Sequence, residues 1–204
     1  LELQNGGDPS MQEILSMQKD EANDQFVRFI EDNYIDWVQG HSDTKPEMAH
    51  TAFKNWVAPE LNSDSCTFLV VIDNLRLDQW KVIQSVIEED FRIDEERTML
   101  SILPTATQYA RNAFFAGLMP SESQKQHPKL WLNDEDEGGK NMHEAELLEH
   151  QLKRLGKGIN YSYSKITNHA LGKKVLDSIH TLAKNELNVI VYNFVDMLSH
   201  ARTE

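Results

Sequence analysis

The chain has 204 residues, of which 40% are hydrophobic, and it carries a formal net charge of −13. This composition is that of a globular protein with a substantial core. The acidic excess argues against a protein that binds nucleic-acid backbones, because such binding depends on lysine and arginine. It is compatible with a site for divalent cations, which would reverse the local field and admit an anionic substrate.

Cys66 is the only cysteine in the sequence, which excludes an internal disulfide and a thiolate-rich metal site. Such cysteine usage is typical of a reducing compartment, so we expect a cytoplasmic protein. The polar start of the sequence, LELQNGGDPS, lacks the apolar core of a signal peptide. No run of about 18 apolar residues occurs, so the sequence predicts no membrane-spanning helix and no membrane partner.

The N-terminal region has the pattern of a helical segment. Apolar residues recur at three- and four-residue steps over residues 9–38, as they do along one face of a helix. Residues 39–46 interrupt this pattern, and residues 47–58 favour a second, short helix that ends at Pro59. Residues 1–62 are therefore predicted to form a helical segment.

The pattern then changes to that of an α/β domain. Residues 67–72 (TFLVVI) form a β-branched apolar run, which is typical of a strand buried on both faces of a parallel sheet. A helical pattern follows at 76–89, and residues 97–103 (RTMLSIL) are predicted to form a second strand. A further helix is predicted at 107–117, closed by Gly117.

The remainder of the sequence continues this alternation. Residues 121–142 are polar and irregular, and they are interpreted either as a solvated loop or as a cap over a site. Residues 143–155 and 172–186 have helical patterns, and residues 188–195 (NVIVYNFV) predict another buried strand. The alternation predicts an α/β fold, with a mostly parallel sheet flanked by helices and preceded by the helical segment.

Two carboxylates follow the two strongest strand predictions. Asp73 ends the first apolar run, and Asp196 ends the last one. Ligands of open α/β sheets bind outside the carboxyl ends of the strands, so we expect both side chains at one edge of the sheet. A helix cap or a turn residue is the alternative interpretation of either aspartate alone.

Asp196 and His200 have the spacing of two side chains on one face of a helix. A carboxylate and an imidazole that bind one cation suit zinc, and also manganese or iron. The alternative is a capping aspartate beside an unrelated surface histidine.

A second candidate feature is the stretch LPTATQY at residues 103–109, which joins a predicted strand to a predicted helix. A hydroxyl at the start of a helix meets backbone N–H groups and a dipole that favours anions. A metal that binds this hydroxyl would lower its pKa and make it a usable nucleophile. Plain helix capping is the alternative, since threonine is a common cap.

Arg76 and Asn112 are the candidate substrate-binding residues, because both lie close in sequence to the residues above. Arg76 can clamp a phosphate through its planar guanidinium group. The alternative role of Arg76 is an ion pair with Asp78.

Four segments together resemble one known family. They are VVIDNLRLDQW at 70–80, ILPTAT at 102–107, NAFFAGLMPS at 112–121 and NFVDMLSH at 193–200. In order, spacing and strand context they resemble the PglZ domain of the alkaline phosphatase superfamily, most closely that of PorX-type response regulators of Bacteroidetes. The resemblance covers roughly residues 20–204.

The resemblance implies a domain organisation. In PorX-type proteins a receiver domain and a helical bundle precede the PglZ effector domain. Residues 1–62 would then be the end of the helical bundle with a linker, and residues 63–204 the N-terminal part of an incomplete, alkaline-phosphatase-like PglZ domain. The implied partners within the same protein are the receiver domain and the helical bundle.

The resemblance also implies a set of catalytic residues. The superfamily uses two metal sites, usually zinc and here with manganese as the alternative, and a threonine or serine nucleophile. Thr107 would be the nucleophile and Asp73 would bind the metal that also binds it, while Asp196 and His200 would bind the other metal. Further ligands would come from downstream sequence, so we expect the fragment to be inactive and to bind at most one metal weakly. Asn74 departs from the residue that many relatives carry.

The implied reaction is displacement at phosphorus through a phosphothreonine intermediate, with two metals that activate the attacking oxygen and stabilise the leaving oxygen. The implied substrates are phosphodiesters such as cyclic or linear oligonucleotides. A truncated sheet would also expose a strand edge and apolar surface, which favours self-association as a homodimer.

Two other functions compete with this hypothesis. One is a non-catalytic effector that acts by protein–protein contact, with a structural or degenerate metal site. The other is a receiver domain with Asp73 as its phosphoacceptor, which is disfavoured because residues 1–62 have a helical pattern where an earlier strand ending in acidic residues is required.

Overall fold

A computed structural model of the chain describes residues 9–62, 64–132, 141–193 and 195. The chain divides into two compact units, Leu1–Pro46 and Glu47–Glu204. The domain boundary predicted between residues 62 and 63 lies inside the second unit and stays a prediction.

The first unit contains one long helix, α1, at Pro9–Gln39. Pro9 occupies its first position, where the fixed φ of proline suits a helix and its missing N–H group is not needed. The helix ends at Gly40, which adopts a φ of 73°, and the N–H of His41 donates to the carbonyl of Asp36 at 2.9 Å. The predicted helix at 9–38 is confirmed.

The second unit is built on a three-stranded parallel sheet. Its strands are β1 at Thr67–Ile72, β2 at Tyr161–Ile166 and β3 at Leu187–Tyr192. They lie in the order β1-β3-β2, and Thr67 and Tyr161 both pair with Leu187. The α/β fold with a parallel sheet is therefore confirmed.

Short helices precede and connect the strands along the chain. A compound helix opens the unit, with an α-helical turn, α2, at Ala49–Ala52, a π-helical turn at Phe53–Val57 and a 3₁₀ turn at Ala58–Glu60. The helices that follow are α3 at Leu77–Ile87, α4 at Thr107–Ala116, α5 at Pro120–Gln126, α6 at Glu144–Arg154, α7 at His169–Asp177 and α8 at Ile179–Leu182.

The hydrophobic core joins the central strand to helices α4 and α6. Helix α4 packs against both α2 and α6. This packing holds the start of α4 close to the end of β1, and the candidate site lies there. The buried core residues are Phe53, Ala58, Leu61, Phe115, Ala116, Leu118, Leu147, Leu148, Leu152, Leu187, Val189 and Val191.

The strand predicted at 97–103 is wrong. Within this stretch the backbone makes one isolated bridge, between Leu100 and Met48. The N–H of Leu100 donates to the carbonyl of Glu47 at 2.8 Å, and its own carbonyl accepts the N–H of Ala49 at 3.0 Å. The segment therefore pairs with the start of the compound helix rather than with the sheet, and Met99 stays 47% exposed.

Three helix boundaries also differ from the predictions. Residues 121–126, which were predicted as part of an irregular stretch, belong to α5, because Pro120 suits a first turn and the Glu122 carboxylate accepts the Met119 N–H at 2.9 Å. The helix predicted at 172–186 is two helices, and it starts earlier because the side chain of Asn168 caps the N–H of Leu171. The short helix does not end at Pro59, which lies inside the 3₁₀ turn.

No helix within the described parts of the chain is long and apolar enough to cross a membrane.

Candidate active site

Asp73 lies directly beyond the carboxyl end of β1. Its N–H donates to the carbonyl of Tyr192 at 3.2 Å, which extends the pairing with β3 by one residue. Asn74 then adopts a φ of 60°, a left-handed conformation that asparagine tolerates better than most residues. The pairing of β1 with β3 ends at this turn, immediately after Asp73.

Thr107 is the first residue of α4. The residue at the N-cap is Ala106, which makes no side-chain cap hydrogen bond. A threonine therefore does not occupy the N-cap position of this helix, which was the alternative interpretation of the stretch. Thr107 lies in the first turn, where the helix dipole favours negative charge.

Asp73 and Thr107 line the same cavity, which has a volume of about 380 Å³. Ser101, Thr105 and Arg111 add further polar groups to its lining. Its apolar walls come from residues that include Leu69, Val71, Met99 and Phe114. A carboxylate from the end of a strand and a hydroxyl from the start of a helix thus line one cavity, and their roles as metal ligand and nucleophile stay predictions.

Arg111 connects this cavity to the buried interior, and sequence analysis did not select it as a site residue. Its side chain is 6% exposed and lies one helical turn after Thr107, so both residues share a face of α4. Nη1 donates to Oδ2 of Asp73 at 2.7 Å and to Oδ1 of Asn193 at 2.7 Å. One guanidinium nitrogen therefore contacts the residues that follow two neighbouring strands.

Glu144, at the start of α6, holds the other side of the same guanidinium. Its carboxylate is 1% exposed and forms an ion pair with Nε of Arg111. It also accepts the hydroxyl of Tyr163 at 2.5 Å and the Nζ of Lys165 at 3.3 Å, both from β2. Burial, and then the negative charge of Glu144, raise the pKa of the Tyr163 hydroxyl, so this group stays protonated and donates.

The comparison with protein families decides what kind of domain carries this site. The family model of the BREX system PglZ alkaline phosphatase-like domain matches residues 52–204, which is three quarters of the chain. This chain belongs to the PglZ family. Residues 1–38 match the family model of the PorX response regulator linker domain. A search of curated proteins gave no significant match.

The two predicted substrate-binding residues of the PglZ domain lie apart from the cavity lining. Arg76 is 66% exposed and forms a two-point ion pair with Asp78, with both N–O distances at 2.9 Å. This is the alternative role that the sequence allowed. Asn112 is 6% exposed and lies on α4 next to Arg111. A contact of either residue with substrate stays a prediction.

The metal ligands predicted from the resemblance fall into two groups. Asp196 and His200 lie outside the described residues. Asp73 and Thr107 supply oxygen donors at one cavity, and this donor set fits one side of a divalent-cation site. Among the described residues, those around Asp73 and Thr107 included, no group of three or more His, Cys, Asp or Glu side chains could hold a metal ion.

Proposed function

We propose that this chain is part of the effector domain of a response regulator, and that the domain is a zinc-dependent phosphodiesterase with Thr107 as its nucleophile. The two family matches, to a PglZ domain and to a PorX response regulator linker domain, support the regulatory context. The observation that carries the catalytic part is the shared cavity of Asp73 and Thr107.

In this proposal Asp73 and Thr107 hold one zinc ion, and Asp196 and His200 hold the other, with manganese as the alternative metal. Metals at such a site stabilise negative charge on the attacking and leaving oxygens of a phosphoryl transfer.

The residues of the chain position the reacting groups. The Thr107 oxygen forms a bond to phosphorus while one ester bond of the substrate breaks. The departing alkoxide takes up the proton that the Thr107 hydroxyl releases and leaves as an alcohol. The phosphothreonine that results is then hydrolysed by water. The dipole of α4 favours the negative charge of the phosphoryl group at Thr107, and apolar side chains form much of the cavity wall.

The proposed substrates are phosphodiesters such as cyclic or linear oligonucleotides, with Arg76 and Asn112 as candidate contacts to the phosphate. The proposed partners are the receiver domain and the helical bundle of the same protein, which we place in the cytoplasm. The apolar side chains of Phe68 and Val70 on β1 are 37% and 54% exposed, which supports self-association as a homodimer.

Replacement of Thr107 tests the catalytic proposal. In the full-length protein with added zinc, we expect Thr107→Ala to lower hydrolysis of bis(p-nitrophenyl) phosphate at least about 100-fold, because the nucleophile is lost. Thr107→Ser, which keeps a hydroxyl, should retain part of the activity. Absorbance at the nitrophenolate band measures the turnover.

Thr105 provides the competing assignment, since it also lines the cavity. A loss of activity in Thr105→Ala together with full activity in Thr107→Ala would show that the nucleophile assignment is wrong.

The proposed substrate class has its own test. Equal rates of hydrolysis of p-nitrophenyl phosphate and of bis(p-nitrophenyl) phosphate would contradict a preference for diesters.

A non-catalytic effector that acts by protein–protein contact is the second candidate. The observation that favours it is the ion pair between Asp73 and Arg111, because the guanidinium group balances the charge of the carboxylate without a metal. This candidate predicts that the full-length protein, saturated with zinc or manganese, hydrolyses no phosphoester faster than its Thr107→Ala variant does.

A further inference from the structure

The guanidinium group of Arg111 lies where three elements of the fold meet. It contacts Asp73 beyond β1, Asn193 beyond β3 and Glu144 at the start of α6. Of these partners Asp73 also lines the cavity, together with Thr107. Arg111 thereby connects a buried anchor, Glu144, to a carboxylate at the candidate site.

Stability alone is a poor explanation for such an arrangement. Arg111 and Glu144 are 6% and 1% exposed, and transfer of both charges from water offsets most of their mutual attraction. A protein in which apolar side chains of the same volume replace a buried ion pair is often as stable as the original or more stable. A buried pair that ends on a cavity carboxylate is better explained by the geometry that it imposes.

We propose that Arg111 is a positioning residue, which holds the carboxylate of Asp73 in the orientation needed to bind a divalent cation beside Thr107. The inference rests on the proposed function, because it takes Asp73 as a metal ligand. Glu144 fixes Arg111 from the opposite side, and Tyr163 and Lys165 in turn fix Glu144.

Lysine cannot replace Arg111 in this role. The planar guanidinium donates in fixed directions through Nε and Nη1 at the same time, whereas an ammonium group is a single point at the end of a flexible chain. Arg111→Lys therefore keeps the positive charge near the cation site but removes the fixed geometry. Any change in cation affinity would then come from the orientation of Asp73 rather than from charge.

Zinc affinity of the full-length protein, measured by competition with a chromophoric chelator, tests the inference without any reference to turnover. Partners that orient a metal ligand typically change affinity about 10–100-fold, so we expect Arg111→Lys to weaken zinc binding by about 10-fold or more. Arg92→Lys is the matched control. Arg92 is 85% exposed, pairs with Asp94 and should leave the affinity unchanged.

A double variant separates positioning from a general structural effect. If Arg111 acts through Asp73, Arg111→Lys should have little further effect on zinc affinity in an Asp73→Asn background. The same loss in both backgrounds, or wild-type affinity in Arg111→Lys, would overturn the inference. If Arg111→Lys does not fold, Glu144→Gln replaces it, because the amide keeps an acceptor for Nε but removes the charge that fixes it.

The outcomes for the proposed function remain distinct. A wild-type protein that binds zinc but hydrolyses no phosphodiester overturns the catalytic proposal and leaves the role of Arg111 to be decided by affinity. A wild-type protein that binds no zinc overturns both.

Discussion

At the scale of single residues, the buried charges around the candidate site limit which substitutions the fold tolerates. Glu144 accepts hydrogen bonds from Arg111, Tyr163 and Lys165. Removal of one partner of a buried ion pair typically costs about 3–5 kcal/mol, because the other charge is left without compensation. Substitutions that keep a charge or an acceptor are therefore the informative ones at Arg111 and Glu144.

A second residue-scale effect concerns His127, which stacks on His150 with ring centroids 4.3 Å apart. Burial, then the nearby charges of His150 and Arg154, lower the pKa of His127 below its ordinary value of 6.5. The unfolded chain therefore takes up a proton at this side chain more readily than the folded protein does. The contribution is fully favourable above pH 6.5, and stability is lost as the pH falls below 6.5 toward the lower, folded-state pKa.

Urea unfolding at a series of pH values measures this effect. We expect the free energy of unfolding of the wild type to fall between pH 6.5 and pH 5 more steeply than that of His127→Gln, which cannot take up this proton. Parallel pH profiles for the two proteins would show that His127 does not contribute.

At the scale of elements, helix α4 ends where its backbone lies so close to Gln151 that only glycine fits. Gly117 has a φ of 62°, and a Cβ atom there would lie 2.1 Å from Oε1 of Gln151. Gln151 cannot move aside easily, because its Nε2 donates to the carbonyls of Phe114 and Phe115 at 3.0 and 2.9 Å. These contacts fix α4 against α6.

Gly117→Ala should therefore destabilise the protein more than Gly156→Ala does. Gly156 has a φ of 68°, but a Cβ there meets no atom within 4 Å. Left-handed strain costs about 1–2 kcal/mol in both variants, and overpacking against Gln151 adds about 1–3 kcal/mol in Gly117→Ala alone. Urea unfolding gives both free energies, and equal values would contradict the steric argument.

Prediction of the elements succeeded where one residue pattern allowed one structure. The runs at 67–72 and 188–195 are rich in β-branched residues and continuous, and the first coincides with β1 while the second covers all of β3 except Leu187. Strand β2, with the sequence YSYSKI, was not predicted, because its aromatic residues alternate with serine and lysine at the edge of the sheet. The run at 97–103 has similar apolar content, but its pairing with residues 47–49 could not be deduced from local pattern.

The candidate site was partly predictable for the same reason. Asp73 could be placed at the sheet edge because it follows a buried strand, and Thr107 because it begins a helix. Arg111 could not be selected, since its role depends on Glu144, 33 residues later in the sequence. That contact exists only because α4 packs against α6, which is a property of the tertiary structure.

For the molecule as a whole, the position of the cavity matters more than overall charge. The chain has a net charge of −13, which repels an anionic phosphodiester at long range. The proposed function therefore requires local positive charge at the carboxyl edge of the sheet. The charge of Arg111 is balanced by Asp73 and Glu144, so the proposed zinc ions would have to supply that positive charge.

Zinc-edge anomalous diffraction from crystals of the full-length protein grown with zinc shows whether Asp73 and Thr107 hold a cation. We expect an anomalous peak in the cavity beside Thr107, with an Asp73 oxygen as a ligand at about 2.0–2.2 Å. Ordered zinc bound only at sites away from both Asp73 and Thr107 would contradict it.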